Sequence, residues 1–237
     1  MEMDFILLAN IGQDAITPWS WSNLLAQGGG SLNNFLPHLL SMLERMLQGK
    51  VTAAMGEARV GKREAPFLPG LHDYREVMET SLTKEEAAKL EWRQCDADNA
   101  FSTLLQVDTP LSPEGQTVLV SLRVNYSAAA AFPSNGWYIY GDRGVLVGDG
   151  VFSPKVSKRR GDETKSMPTP DALIDQLPEG DDDAQRHWNA LARDFVADIR
   201  DQPHSSYLTF QDGWRYQAIA DAIRSGSMCQ IDQDVPG

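Results

Sequence analysis

Residues 100–126, AFSTLLQVDTPLSPEGQTVLVSLRVNY, hold two strand-like runs on either side of a turn. The runs Ala100–Val107 and Gln116–Tyr126 are strand-like, and Leu111–Gly115 between them contains the serine, proline and glycine typical of a turn. A third run, Trp137–Leu146, follows them. Because strands joined mainly by turns pair antiparallel, this part of the chain predicts an antiparallel-rich sheet.

Further strands and a helix are predicted before this sheet-forming region. Residues 3–10 predict a buried strand, and apolar residues recur at helical spacing over 32–47. Within that helix Pro37 fits only near the first turn, and Gly49 provides a stop signal after it. Residues 50–59 alternate as expected for another strand. After the third run, Asp149-Gly150 is a hairpin signal.

Two helices are predicted near the end of the chain. The first follows three aspartates, 181–183, which suit the dipole of a helix N-terminus. Its apolar face consists of Trp188, Leu191, Phe195 and Ile199. The second runs from Asp212, as its cap, to Gly226. The order of elements predicts the α+β class: an open, mostly antiparallel β-sheet with helices packed on one face, and not a doubly wound nucleotide-binding fold.

Length and charge limit the domain count and the partners. A chain of 237 residues is expected to form a single domain over 1–237. It has 33 acidic and 21 basic side chains, and this net charge of −12 disfavours nucleic acid and membrane surfaces as partners. The acidic start and the short apolar run 5–9 predict neither a secretion signal nor a membrane span, so we expect a cytoplasmic protein. Cys95 and Cys229 have no metal-like or redox-like spacing and suggest free thiols, with a single disulfide left open.

Residues 61–95 differ in character from the rest of the chain. They are charged and carry Pro66 and Pro69. A helix is predicted there from the capping-box pair Thr83 and Glu86.

The glycine triplet before the first helix is the strongest functional signal. The stretch reads Gly28-Gly29-Gly30-Ser31-Leu32-Asn33-Asn34-Phe35-Leu36-Pro37-His38. Three glycines allow a ligand or a second segment to approach the backbone closely. Asn34 and His38 are four residues apart and so share a helix face, and an imidazole titrates near neutral pH. The pattern is typical of one part of an active site.

Several other chemistries have no sequence support. The triplet is not a dinucleotide-binding G-x-G-x-x-G fingerprint, and no Walker loop, H-E-x-x-H helix or G-x-S-x-G elbow is present. The four histidines are too scattered to predict a metal site, and no pattern singles out a catalytic carboxylate pair.

The motifs, taken in order, resemble the C-terminal domain of the glucose-fructose oxidoreductase, inositol dehydrogenase and MocA family of NAD(P)-dependent oxidoreductases. The resemblance covers nearly the whole chain except the insertion at 61–95. The matching pieces are the glycine loop with His38, Asp98-Asn99-Ala100, the aromatic run Trp137–Leu146 with its Gly-x-x-Gly turn, Phe210–Gly213, and Ala222–Gly226.

The resemblance implies a fold, an activity and a partner. It implies a dihydrodipicolinate-reductase-like sheet whose helix-covered side adjoins a nucleotide-binding domain and whose other face forms a dimer or a higher homo-oligomer. In such enzymes a hydride passes between a nicotinamide, NAD or NADP, and a sugar or polyol carbon. The resemblance places His38 as acid/base or orienting donor, and Asn34, Gly29 and Gly30 at the substrate.

This sequence departs from the family pattern at two positions. Asn34 stands where the family usually has Asp, and an amide cannot carry a proton or fix an imidazolium by charge. Leu36 stands where the family usually has Gly. The nucleotide-binding half is also missing from these 237 residues, and a strand that starts at residue 3 suggests a cut through a longer chain. We therefore expect this chain alone to bind no NAD and to turn over no substrate.

Alternatives stay open for each candidate residue. His38 is either a substrate contact or a structural, solvent-facing histidine. Asn34 is expected to cap the start of the helix in preference to contacting a ligand. Trp19 and Trp21 could line a sugar cleft, although core or dimer packing is the simpler role. For the whole chain, the alternative to an enzyme domain is a non-catalytic ligand-binding or scaffolding dimer, which Asn34 in place of Asp mildly favours.

Overall fold

A computed structural model describes residues 1–9, 16–71, 74–113, 116–128, 135–148, 154–157 and 163–234. The hairpin predicted at Asp149-Gly150 lies outside these ranges. The strands are β1 (Glu2–Leu8), β2 (Lys50–Arg59), β3 (Glu64–Phe67), β4 (Glu91–Gln94), β5 (Ala100–Asp108), β6 (Val118–Asn125), β7 (Gly136–Gly141), β8 (Gly144–Gly148), β9 (Pro154–Ser157), β10 (Lys165–Ser166) and β11 (Cys229–Gln230). The helices are α1 (Ser31–Asn34), α2 (Leu36–Leu47), α3 (Tyr74–Glu79), α4 (Lys84–Ala87), α5 (Asp171–Ile174), α6 (Asp183–Ile199) and α7 (Phe210–Ser225).

Nine of the described strands form one open sheet in the order β10-β9-β8-β7-β1-β6-β5-β2-β11. Strand β1 lies inside the sheet, parallel to β6 and antiparallel to β7, and every other adjacent pair is antiparallel. The predicted α+β class with a mostly antiparallel sheet is therefore confirmed. The run 137–146, which its composition predicts as one strand, contains β7, a turn at Asp142-Arg143 inside the Gly-x-x-Gly motif that the resemblance implied, and the start of β8.

The side-chain alternation of the strands separates a core face from an open face. Ala54, Leu105, Val120, Met3 and Ile139 stand side by side across five strands, and all are buried. Helix α7 packs over β2, and α1 and α2 pack against α7 and the same side of the sheet. The neighbour of each of these residues in its strand points its side chain to the opposite face of the sheet. No described helix covers that face.

The first helix is divided into two. Helix α2 carries Pro37 in its first turn, as predicted, because a proline there loses no hydrogen bond. Gln48, not Gly49, adopts the left-handed conformation that ends α2 (φ 50°). Gly49 is required for another reason, since a Cβ there would lie 2.2 Å from the carbonyl oxygen of Asp108.

The start of α7 also differs from the prediction. Thr209 is the cap, its hydroxyl accepting from Asp212 N, and the Asp212 carboxylate accepts in return from Thr209 N at 2.9 Å. Asp212 is thus the third helical residue of a capping box and not the cap itself. Gly226 ends the helix in a left-handed conformation, as predicted.

Residues 61–95 form a small unit beside the main sheet. It contains the β3–β4 hairpin and the short helices α3 and α4. The predicted capping box of Thr83 and Glu86 is present at the start of α4.

Helix α6 exposes the apolar face that the sequence predicts. Its members Trp188, Leu191, Phe195 and Ile199 are each at least 42% exposed, so they lie outside the core of the described structure. Separately, none of the described helices has the length and apolar composition needed to cross a membrane.

Candidate functional site

A cavity of about 480 Å³ lies where the glycine loop, α1, the start of α2, the segment before β5 and the 61–95 unit meet. Four residues that the sequence singles out line it: Trp21, Gly30, Asn34 and His38. Its apolar lining includes Phe35, Val77 and Met78. The fold thus gathers most of the sequence-derived candidates around one space.

The glycine loop is held from inside by its own backbone. The amides of Gly28, Gly29 and Gly30 donate to the carbonyl oxygens of Leu25, Leu24 and Ser22, at 2.9, 2.9 and 3.1 Å. Gly29 is buried behind the loop, does not line the cavity, and could carry no Cβ, which would lie 2.4 Å from Ser22 O. Since every triplet amide is used, this loop does not fit a pyrophosphate in the way a nucleotide-binding glycine loop does.

Asp98 is the group around which the loop is built. Its carboxylate Oδ2 accepts from Leu32 N at 2.8 Å and from the hydroxyl of Ser31 at 3.0 Å, which caps the start of α1. Its other oxygen lies 3.2 Å from Nη2 of Arg224 in α7. The Asp98 side chain is only 6% exposed, so this contact links the glycine loop to the final helix inside the protein.

Asn34 closes the loop from the other side. Its amide nitrogen donates to the carbonyl oxygens of Gly28 and Gly30, each at 2.9 Å. The expected role as a helix-start cap is wrong, because α1 and α2 are preceded by Gly30 and Phe35 at the cap positions. The amide donors are committed to the loop, so only the Oδ1 acceptor of Asn34 remains for a ligand.

His38 lies in the first turn of α2 with an exposed side chain at the cavity. No hydrogen bond joins its ring to another described residue, and no described carboxylate pairs with it. Its imidazole is therefore accessible to a ligand and lacks the charged partner that often orients a catalytic histidine.

The two tryptophans before the triplet have different surroundings. Trp21 lines the cavity. Trp19 does not; its ring packs edge-on against Phe67 with centroids 6.1 Å apart, and its Nε1 donates to Gln94 O at 3.2 Å. Trp19 therefore packs the glycine-loop region onto the β3–β4 hairpin, so the expectation that it lines the cleft is not met by the described geometry.

Lys62 is a cavity residue that the sequence reasoning missed. It follows β2 by three residues, and its Nζ donates to Thr17 O at 2.7 Å. The backbone beside it is fixed, since Gly61 N donates to Asn99 Oδ1 at 2.7 Å. Burial lowers the pKa of the Lys62 amine. One lysine in a charged segment carries no local signal of such a position.

A second polar cluster lies at the far end of α2. Buried Glu44 accepts from Arg215 at 2.8 Å, from Lys50 at 3.1 Å and from Val51 N at 3.0 Å, and Lys50 also pairs with Asp212 at 3.0 Å. These charges satisfy one another, so the cluster joins α2, β2 and α7 and is structural in character.

Comparison with known proteins finds a fold and no sequence family. No family model matches the chain, and no curated protein matches it by sequence. Among solved structures, levoglucosan dehydrogenase in complex with NADH and L-sorbose matches with a TM-score of 0.69 at 17% identity, over 98% of this chain and 59% of that chain. An NAD-binding oxidoreductase from Klebsiella pneumoniae matches with a TM-score of 0.68 at 17% identity, over 98% and 59%. An oxidoreductase domain protein from Kribbella flavida matches with a TM-score of 0.65 at 16% identity, over the same shares.

The chain spans about three fifths of the length of these solved structures. At this low sequence identity, the structural similarity shows a shared fold and nothing finer. This chain therefore has the fold of one portion of NAD-binding oxidoreductases.

Proposed function

We propose that this chain is the substrate-binding and dimerisation domain of an NAD(P)-dependent oxidoreductase of the glucose-fructose oxidoreductase, inositol dehydrogenase and MocA family, acting on a sugar or polyol hydroxyl in the cytoplasm. The domain is residues 1–237, with 61–95 as an insertion that walls the cavity. The observation that carries the proposal is that Trp21, Gly30, Asn34 and His38 line one cavity in a fold of this type.

The cavity suits a polyhydroxylated ligand. The Oδ1 of Asn34 can accept from a ligand hydroxyl, and the apolar surfaces of Trp21 and Met78 can pack on the C–H faces of a sugar. When a hydroxyl carbon becomes a carbonyl, its oxygen loses a proton. His38, exposed at the cavity, is placed to accept that proton as a general base, and to return it when the reaction runs backwards.

The nicotinamide cofactor is proposed to be bound by residues outside this chain. The fully bonded amides of the glycine loop support this, since they leave no donors for a pyrophosphate. The complexes of levoglucosan dehydrogenase with NADH support a dinucleotide for the complete enzyme. Whether the cofactor is NAD or NADP depends on that other part.

The open face of the sheet is the proposed dimer surface. Met55, Leu104, Ser121, Asp4 and Tyr138 stand side by side across five strands on this face. Met55 and Leu104 are 36% and 37% exposed. Met55 and Leu104, on β2 and β5, favour a second copy as the cover of this part of the face, because burial of apolar surface drives association.

One observation favours the second candidate, a non-catalytic ligand-binding or scaffolding dimer. His38 has no described carboxylate to stabilise its protonated form, and Asn34 cannot supply one. A binding protein would keep the cavity and need no such partner.

The two candidates are separated by activity in the assembly that contains this chain. The assembly is isolated with an antibody to the chain and supplied with NAD⁺ or NADP⁺ and a panel of sugars and polyols. We expect absorbance at 340 nm to rise, and His38→Ala to lower the rate by about 10²–10⁴. His204→Ala serves as the matched control, since His204 lies away from the cavity beside Asp198.

A further inference from the structure

Lys62 brings a positive charge into the cavity that holds His38. Only one of its ammonium protons is used by a described residue, in the 2.7 Å bond to Thr17 O. Asn99 fixes the adjoining backbone: it accepts from Gly61 N and donates to the hydroxyl of Ser127, both at 2.7 Å. Two donors of the ammonium group are therefore not used by the described residues, beside a backbone that Asn99 holds in place.

Among the described residues, the titratable group that acts on the Lys62 amine is the Cys95 thiol, and burial raises the pKa of that thiol. No described carboxylate forms an ion pair with Lys62. Asp98 lines the same cavity, but its carboxylate already pairs with Arg224 and accepts hydrogen bonds from the Ser31 hydroxyl and the Leu32 amide. A partly buried cation without a counter-charge costs free energy, and an anion that enters the cavity removes that cost.

The surroundings favour an anion with a single charge. A phosphate needs several donors, yet the amides of Gly28, Gly29 and Gly30 are all used within the protein. The Ser31 amide is also used, donating to Asp98 O at 2.7 Å. Lys62 is the one lysine or arginine among the described residues that line the cavity. One ammonium group matches one carboxylate.

We propose that Lys62 anchors a carboxylate of the ligand, so that the substrate class is a sugar acid or a related polyhydroxy carboxylate. This inference rests on the proposal that the cavity is the substrate site. It adds a charged contact to the hydroxyl-binding groups of the same cavity: Lys62 holds the carboxylate, and His38 and Asn34 bind hydroxyls.

Calorimetry with the full 237-residue chain and three probes tests the inference. Gluconate carries both hydroxyls and a carboxylate, glucitol carries the hydroxyls alone, and hexanoate carries the carboxylate alone. We expect gluconate to bind at least tenfold more tightly than either of the other two. Lys62→Met should abolish this advantage over glucitol, and Lys62→Arg should restore most of it. Lys89→Met, an exposed lysine away from the cavity, should change nothing.

The probes separate a failure of Lys62 from a failure of the proposed function. Equal affinity for gluconate and glucitol, unchanged in Lys62→Met, would overturn the anchor and leave a neutral sugar site. Equal affinity for gluconate and hexanoate, lost in Lys62→Met, would keep the anchor and overturn the sugar or polyol function. Binding of none of the probes by a folded chain would overturn both. Denaturant unfolding of each variant establishes that it is folded.

Discussion

Asp98 and Arg224 form a partly buried contact between the glycine loop and the last helix, with 3.2 Å between Oδ1 and Nη2. They are 126 residues apart in the chain. Arg224 also donates to Asn33 Oδ1 at 2.9 Å. The same guanidinium therefore contacts both Asp98, which caps the start of α1, and Asn33 within α1. The shape of the candidate cavity therefore depends on the final helix, although α7 contributes no residue to its lining.

Loss of the Asp98 carboxylate should be costly. Asp98→Ala leaves Leu32 N and Arg224 without their partner, and we expect a loss of about 3 kcal/mol in the free energy of unfolding. Urea denaturation measures it. Asp221→Ala is the matched control, because Asp221 pairs with the same arginine but is 76% exposed, and it should cost less than about 0.5 kcal/mol. Equal losses in the two variants would contradict the role given to Asp98.

Gly30 should tolerate no side chain. It has φ 101° and ψ 152°, a region that is essentially confined to glycine, and a Cβ there would lie 2.8 Å from Asp98 Oδ1. We expect Gly30→Ala to lower the free energy of unfolding by about 3 kcal/mol. Gly28→Ala should cost only about 1 kcal/mol, since Gly28 also has positive φ but no atom within 4 Å of its Cβ position. A smaller effect at Gly30 than at Gly28 would show that the loop has another conformation.

The pair formed by Lys50 and Asp212 should make stability depend on pH. Burial raises the pKa of Asp212, but hydrogen bonds from Thr209 and Lys50 outweigh burial and leave it below its ordinary value. Burial likewise opposes the hydrogen bonds from Lys50 to Asp212 and Glu44, which raise the pKa of Lys50 overall. The carboxylate therefore stabilises the fold above about pH 3.9 and loses that contribution as the pH falls through its folded pKa. The lysine contributes below about pH 10.4 and loses its contribution as the pH rises through its folded pKa.

Lys50→Met tests this pH dependence. The variant should be less stable than the wild type at pH 7, and the difference should shrink towards both extremes. Denaturant unfolding across the pH range measures it. Lys165→Met, at an exposed lysine, should show a small difference that does not vary with pH. A gap between Lys50→Met and wild type that stays constant from acid to alkaline pH would contradict the pairing.

The open face of the sheet should control the oligomeric state. Light scattering should report about twice 26.2 kDa for the wild type. Leu104→Glu, at the middle of that face, should give the monomer mass, because a buried unpaired carboxylate is strongly disfavoured. Leu111→Glu, at a 51% exposed residue beyond the end of β5, should remain dimeric. A wild-type mass of 26.2 kDa would count against this interface.

The sheet was predictable because its signal is local. In β5, burial alternates from Phe101 to Val107, and Phe101, Leu105 and Val107 are apolar at buried positions, although Thr103 is buried and Leu104 is exposed. The ends of helices were predicted less well. Gly49 was expected to end α2, but Gln48 adopts the left-handed conformation there, and glycine is needed at 49 because Asp108 approaches it closely. The glycine loop, Asn34 and His38 were found because they are neighbours in sequence.

Lys62 and the role of Asp98 could not be predicted from local pattern. Lys62 donates to the carbonyl oxygen of Thr17, which lies 45 positions away in the chain. Asp98 accepts a hydrogen bond from the amide of Leu32, which lies 66 positions away. Such contacts exist only once the chain is folded, and a single sequence does not mark which lysine or aspartate makes them. The choice between the two roles of Trp19, cleft or packing, also depended on distant residues, because its partners lie in the 61–95 unit.

The most direct test of the account is the reduction of NAD(P)⁺ by a sugar or polyol in the assembly isolated through this chain, read at 340 nm. We predict a substrate-dependent rise whose rate falls by about 10²–10⁴ when His38 is replaced by alanine and persists in His204→Ala. Saturable binding of a sugar at the cavity with no reduction of either nucleotide would contradict an oxidoreductase and would favour the binding or scaffolding protein.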